Sequence, residues 1–203
     1  LARSWNERLR EAIEDFAPAE QHEELFATYV EAFTEEHRRR AAGERLVGDL
    51  ACLEALRAGS DLECDLFVSR TGDHPGSLNL RVFTTHSLTL SDQLPVISSF
   101  GFGVVDEYSR HVRIAKLPGI TMHNFRLDVR RGQHRQLLAR RNEVIALLRQ
   151  VFAGQAGRDR LNRLVATTNL NGRDVEVLRA YVAYLHQLRS EFQARLIRRV
   201  LVD

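Results

Sequence analysis

LNLRVFTTHSLTLSDQLPVISSFGFGVVD, residues Leu78–Asp106, decides the fold. Leu78, Leu80, Val82 and Thr84 alternate with Asn79, Arg81 and Phe83, the period-2 pattern of a half-buried strand. A polar loop, Thr85 to Ser87, follows. Thr89 and Ser91 both suit a helix N-cap, and Asp92 suits the positive end of the helix they would open. Leu90, Leu94, Ile97 and Phe100 make an apolar helical stripe. Pro95 belongs near the first turn or it kinks the helix. Gly101 is the expected left-handed stop. Phe102, Val104 and Val105 begin a second strand. Strand, helix and strand this close together predict a small α+β module with helices on one face of a sheet.

Outward from this hub, the spacing predicts a helix over 4–17, capped by Ser4, and a second over 20–38. A third runs over 44–57, with Leu46, Val47, Leu50, Leu53 and Leu56 apolar. A strand over Leu62–Arg70 and the turn TGDHPG at 71–76 lead back to the hub strand, so the two strands read as a hairpin. After the hub, strands are expected over 104–114 and 121–129. A long helix covers 133–153, Gly154–Gly157 is a hinge, and helices follow over 158–169, 174–188 and 192–202. This gives about four strands. The domain expectation is an N-terminal helical segment at 1–60, an α+β domain at 61–153 and a helical segment at 154–203.

Composition narrows the function. With 44% hydrophobic residues the 203-residue chain can bury a core. No apolar run is long enough to span a membrane, and no secretory leader pattern is present. The chain opens on Leu1 and its only methionine is Met122, so it reads as starting inside a longer reading frame or as trimmed. Cys52 and Cys64 fit no metal motif, and two reduced thiols of a cytoplasmic protein are favoured over a disulfide. Charge is unevenly spread. Residues 1–60 carry eight arginines against thirteen acids, and residues 126–203 sixteen arginines against seven. Such asymmetry can draw ends or subunits together. Lys116 is the only lysine, which excludes chemistry that needs two.

Candidate chemistry is sparse. Gly101-Phe102-Gly103 lacks the third glycine of a dinucleotide loop and ends a helix where that motif must begin one. His123, in a strand with Phe125 and Leu127, reads as a structural histidine bonded to backbone. Asp106 and Glu107, adjacent on a strand, face opposite ways and cannot converge on one atom. The arginines of 126–141 lack interleaved aromatics and read as a solvated or protein-facing surface, not a nucleic-acid footprint. The polar loop and helix start, with Thr85, His86, Ser87, Ser91 and Asp92, are the only place where a small effector or an interface is expected.

Three runs carry a family resemblance. Leu88–Tyr108 (LTLSDQLPVISSFGFGVVDEY), Thr121–Leu127 (TMHNFRL) and Asp159–Gln187 (DRLNRLVATTNLNGRDVEVLRAYVAYLHQ) are similar to segments of the large bacterial NAD-specific glutamate dehydrogenases. Gly48-Asp49 and Ala32-Phe33 fit the preceding region less specifically. The chain departs from the pattern at Asn124, where an acid is usual, and at Gly172, where a tryptophan is expected. The resemblance implies an ACT-like α+β domain, an antiparallel sheet of about four strands with helices on one face, flanked by helical segments. It implies a non-catalytic regulatory or scaffold role, with no catalytic, metal or cofactor-binding residue here. NAD would be bound elsewhere in the parent enzyme. The expected partners are the rest of the parent chain, further copies in a homo-oligomer and an amino-acid effector, with neither nucleic acid nor membrane. The rival reading is a standalone amino-acid-binding module of the same architecture.

Overall fold

The computed structural model describes residues 3–40, 43–70, 74–117, 119–129 and 133–187. The expected helix over 192–202, Thr71–Asp73 of the turn, Pro118, and Arg130 and Arg131 of the basic segment lie outside these residues.

The α-helices are α1 (Trp5–Phe16), α2 (His22–Tyr29), α3 (Glu35–Arg40), α4 (Gly43–Arg57), α5 (Leu90–Ser99), α6 (Gln133–Ala139), α7 (Arg141–Phe152), α8 (Arg163–Thr167) and α9 (Gly172–Gln187). The strands are β1 (Leu62–Val68), β2 (Leu78–Thr84), β3 (Gly103–Val112) and β4 (Ile120–Asp128). They form one antiparallel sheet in the order β1-β2-β4-β3. The α+β, ACT-like expectation therefore holds. β1 and β2 pair as the expected hairpin, with Leu62 opposite Thr84 and Asp65 opposite Arg81.

The chain divides into two compact units. The first contains residues 1–87 and 107–125, the second 88–106 and 126–203. In the first, Ser4 accepts from the Glu7 amide while Glu7 accepts from the Ser4 amide, a reciprocal cap that starts α1. Leu9 and Ile13 of α1, Tyr29 of α2, Leu46, Leu50 and Leu53 of α4, Phe83 of β2 and Met122 of β4 meet in one buried core. In the second unit, Thr89 and Asp92 make the same reciprocal cap on α5.

Several expectations change. The helix expected over 20–38 breaks after Tyr29. The carbonyls freed by the break are bonded from outside: Trp5 Nε1 donates to Val30 O at 3.0 Å, the Arg113 amide to Ala32 O at 2.9 Å, and Arg38 Nε to Phe33 O at 2.9 Å. The helix expected over 133–153 breaks at Arg140, whose guanidinium donates to Val165 O at 3.1 Å and Leu170 O at 2.6 Å. The buried side of α5 is Gln93, Val96 and Ile97, while Leu90 and Leu94 are exposed. Likewise Tyr181 and Leu185 of α9 are exposed, and Val175 and Val182 carry its burial.

β2 is buried at every position, including Asn79 and Arg81, not half-buried as its alternation predicts. The face that alternation gives to solvent is the one that α4 covers. A glycine permits this approach. A Cβ on Gly48 would stand 2.8 Å from Asp65 Oδ2 and 3.0 Å from Arg45 Nη1. On an exposed helix, glycine to alanine stabilises by about 1 kcal/mol. Gly48→Ala is expected to reverse that sign and lower stability by about 1–2 kcal/mol, measured by urea unfolding. A raised unfolding midpoint would contradict the close approach.

Candidate functional site

The loop and helix start singled out from the sequence are engaged locally. In the first unit, Thr85 Oγ1 donates to Asp61 O at 3.4 Å. Thr84 Oγ1 donates to His86 O at 3.1 Å and accepts from the His86 amide at 3.2 Å, and it lies 3.1 Å from His86 Nδ1. His86 and Ser87 are exposed. In the second unit, Asp92 is the cap partner of Thr89. The hydrogen bonds from Thr89 hold its carboxyl below the ordinary value. Ser91 is exposed. The turn motifs explain these contacts without a ligand.

The richest polar site is one the alternation pattern hides. It lies in the first unit, between α4 and the sheet. Arg81, mid-strand in β2, donates from Nη1 to both carboxylate oxygens of Asp49, at 2.8 and 2.6 Å. Its Nε donates to Asn124 Oδ1 at 3.1 Å, and its Nη2 to the Tyr108 hydroxyl at 3.4 Å. Asn124 Nδ2 donates to Asn79 Oδ1 at 3.2 Å, and Asn79 Nδ2 to Ser77 O at 3.0 Å. Arg45, one turn before Asp49 on α4, donates to Asp49 Oδ1 from Nε at 3.0 Å and Nη2 at 2.7 Å, and pairs with Asp65 of β1. Its guanidinium carbon sits 3.9 Å over the Phe67 ring.

Electrostatics follow from this geometry. Burial pushes the Asp49 carboxyl up, but Arg45 and Arg81 outweigh it and hold the group below its ordinary value. Burial likewise opposes the Arg45 charge, and Asp49 and Asp65 outweigh it, raising that group further. His37 is buried and stacks on Phe33 with ring centroids 4.6 Å apart. Its Nε2 is 3.7 Å from Asp49 Oδ2, too long for a hydrogen bond, and has no hydrogen-bond partner. Burial lowers His37 to about 4, against a partial rise from Asp49, with Arg81, Arg110 and Arg45 adding to the fall.

In the second unit, a smaller polar knot joins residues of the third resembling run. Arg179 donates from Nε and Nη2 to Asp159, both at 3.1 Å, and from Nη2 to Asn162 Oδ1 at 2.9 Å. Asn162 Nδ2 donates to Ser99 Oγ at 3.0 Å and Gly157 O at 2.9 Å. The remaining candidates pair as well. Asp106 binds Arg126, and His123 Nδ1 meets Glu107 Oε1 at 3.0 Å, a carboxylate rather than the expected backbone group. Cys52 and Cys64 are buried and not in a disulfide, and burial pushes the Cys52 thiol up to about 12. Among the described residues no cluster of three or more His, Cys, Asp or Glu is placed to hold a metal ion, and no helix is long and apolar enough to cross a membrane.

Asp49 in a helix and Arg81 in a strand give no joint signal along the chain. The hairpin register does give one, because it sets Asp65 opposite Arg81. The glycine before Asp49 is a second trace of close packing.

Two family models match the chain: glutamate dehydrogenase, ACT3 domain, over residues 61–140, and glutamate dehydrogenase, helical motif 3, over residues 156–203. Among curated proteins, an NAD-specific glutamate dehydrogenase of Halomonas elongata is 32% identical over 192 residues, 93% of this chain. Its counterpart from Pseudomonas aeruginosa is 28% identical over 94% of the chain, and that from Mycobacterium tuberculosis 25% identical over 98%. The chain spans about 12% of the length of each of these relatives.

The His37 environment carries a prediction with a definite sign. The folded protein keeps the imidazole neutral down to about pH 4, whereas the unfolded chain takes up the proton near 6.5. Stability on this account is constant above 6.5, falls as pH drops from 6.5 to 4, and levels off below. The total loss is about 3 kcal/mol. In His37→Phe, which keeps the stack on Phe33, that loss is expected to vanish. Parallel pH profiles for both proteins in chemical unfolding would contradict it.

Proposed function

The chain belongs to the large bacterial family of NAD-specific glutamate dehydrogenases, and from that membership we propose that it is a non-catalytic scaffold and regulatory segment of such an enzyme. The parent reaction is the oxidative deamination of L-glutamate. Glutamate loses a hydride to NAD, and water replaces the nitrogen to give 2-oxoglutarate and ammonium. The observation that carries the proposal is the pair of family matches, to an ACT3 domain and to a helical motif, which take up residues 61–140 and 156–203. They support the division into an ACT-like domain at 61–153 and a helical segment at 154–203, behind the helical residues 1–60. The 12% share of the relatives' length favours a part of a large enzyme over a standalone amino-acid-binding module.

The side-chain chemistry supports the same assignment. The carboxylate and guanidinium groups between α4 and the sheet are committed to one another, so they serve as struts and not as acids or bases for a substrate. The chain has one lysine, and its glycines form no dinucleotide loop. NAD is bound, on this reading, by other parts of the parent chain. The segment's partners are those parts and further copies of the enzyme, in the cytoplasm. Thr85, His86, Ser87, Ser91 and Asp92 remain the proposed point of contact for an amino-acid effector or a neighbouring subunit.

The direct test incubates the isolated chain with L-glutamate and NAD and follows NADH. None is expected above the protein-free blank, while a full-length family member turns over under the same conditions. Sustained NADH formation by the isolated chain would overturn the non-catalytic assignment.

A further inference from the structure

Phe100 ends α5, and Phe102 follows two residues later. Within the same unit, these two rings, Leu137 of α6, Ala166 of α8, and Arg160 and Arg163 line a cavity of about 190 Å³. An apolar void of about 150 Å³ accepts a benzene ring, so this space suits a ring or a short branched chain. The four apolar side chains are buried. Among the described residues the lining holds two cations and no carboxylate.

Several arginines of this unit have side-chain partners. Arg126 binds Asp106, Arg140 binds two carbonyls, and Arg179 binds Asp159. Arg160 and Arg163 have no side-chain hydrogen bond or ion pair among the described residues. Arg163 is also held in place. Gly101 has φ of +79°, and a Cβ there would stand 2.9 Å from Arg163 Cδ and 3.1 Å from its Cγ. The missing side chain lets the arginine stem lie across the end of α5. Thr167, also in the lining, donates its hydroxyl to Arg163 O at 3.0 Å. This leaves the guanidinium groups as the cavity's charged donors.

A cavity walled in part by buried apolar side chains, with an exposed Arg160, a half-buried Arg163 and no acid among the described residues, selects its ligand by chemistry. A carboxylate gains charge-assisted, often bidentate hydrogen bonds from arginine. An ammonium beside the same guanidinium groups finds no partner and is repelled. We propose that this cavity binds a small organic carboxylate with an apolar body and no amino group. Its carboxylate meets Arg160 and Arg163, and its hydrocarbon part packs on Phe100, Phe102, Leu137 and Ala166. The proposal stands on the geometry of the second unit and does not depend on the reaction of the parent enzyme. It also differs in place and ligand from the amino-acid contact proposed at 85–92.

Calorimetry and amide NMR shifts on the 203-residue chain test it, with benzoate, phenylacetate and 3-phenylpropionate as probes and phenylalanine as the amine-bearing control. At least one acid is expected to bind at millimolar concentration or tighter, with shifts at Gly101 and Thr167. Phenylalanine is expected to bind at least about tenfold more weakly. Arg163→Gln and Arg160→Gln are each expected to weaken the acid by about tenfold or more. Arg163 could instead serve only to neutralise the negative end of α5, so Ala166→Leu provides a second arm. It fills the chamber, leaves both arginines in place and is expected to abolish binding. Silence from all three acids at about 10 mM would overturn the proposal. So would equal binding of phenylalanine, or binding that survives both Ala166→Leu and the arginine substitutions.

Discussion

The Asp49 carboxylate, fixed between the guanidinium groups of Arg45 and Arg81, is the contact on which the first unit depends. Taking three charges out of water costs several kcal/mol per ion, and their mutual attraction offsets this only when every donor and acceptor is used. Here the lone pairs of Asp49 take bonds from two arginines. Arg81 spends further donors on Asn124 and Tyr108, and Arg45 reaches Asp65. The set ties α4 to β1, β2 and β4. Such a set adds little net stability over an apolar replacement of the same shape. What it does is select: any slip of β2 by one residue would turn Arg81 away from Asp49 and strand a buried charge.

That selection explains why the N-terminal helices and the β1-β2 hairpin fall in one unit. The apolar core of Leu9, Ile13, Leu46, Leu50, Leu53, Phe83 and Met122 supplies the driving force, since area buried is not particular about partners. The polar set beside it is particular. Gly48 makes room for it, and Phe67 lies under Arg45. In the second unit the Arg179 knot has a similar arrangement, joining Asp159 and Asn162 to α9 and, through Ser99, to α5. Both knots draw their residues from well-separated parts of the chain.

Much of the fold is legible along the chain. The caps at Ser4 and Thr89, the stop at Gly101, and strands β1 and β2 follow from local pattern alone. Local pattern fails where distant groups intervene. The helix over 20–38 reads as one helix from its apolar spacing, although Thr34 before Glu35 and Glu36 is a local restart signal. It breaks because Trp5, Arg38 and the Arg113 backbone supply the bonds that its interior carbonyls would otherwise find within the helix. At Arg140 the distant groups are acceptors: its guanidinium reaches the carbonyls of Val165 and Leu170. Alternation marks Asn79 and Arg81 as solvent-facing because it records polarity and cannot record what covers it. The loop at 85–92 is legible as polar. Several of its groups are also taken up by their own turn and cap, contacts that polarity along the chain does not show. The cavity beneath Phe100 is invisible to periodicity, since its lining comes from three separated stretches.

The central claim is that Asp49 and Arg81 act as one strut. A double-mutant cycle on Asp49→Leu and Arg81→Met, read by urea unfolding, tests it most directly. Asp49→Leu strands the buried Arg81 charge, and Arg81→Met leaves Asp49 on Arg45 alone with one side of its carboxylate unmatched; each is expected to cost about 3–5 kcal/mol. The double variant is expected to cost less than the sum by at least about 2 kcal/mol, because the second change removes the charge that the first leaves stranded. Costs that add to within about 0.5 kcal/mol would contradict the account.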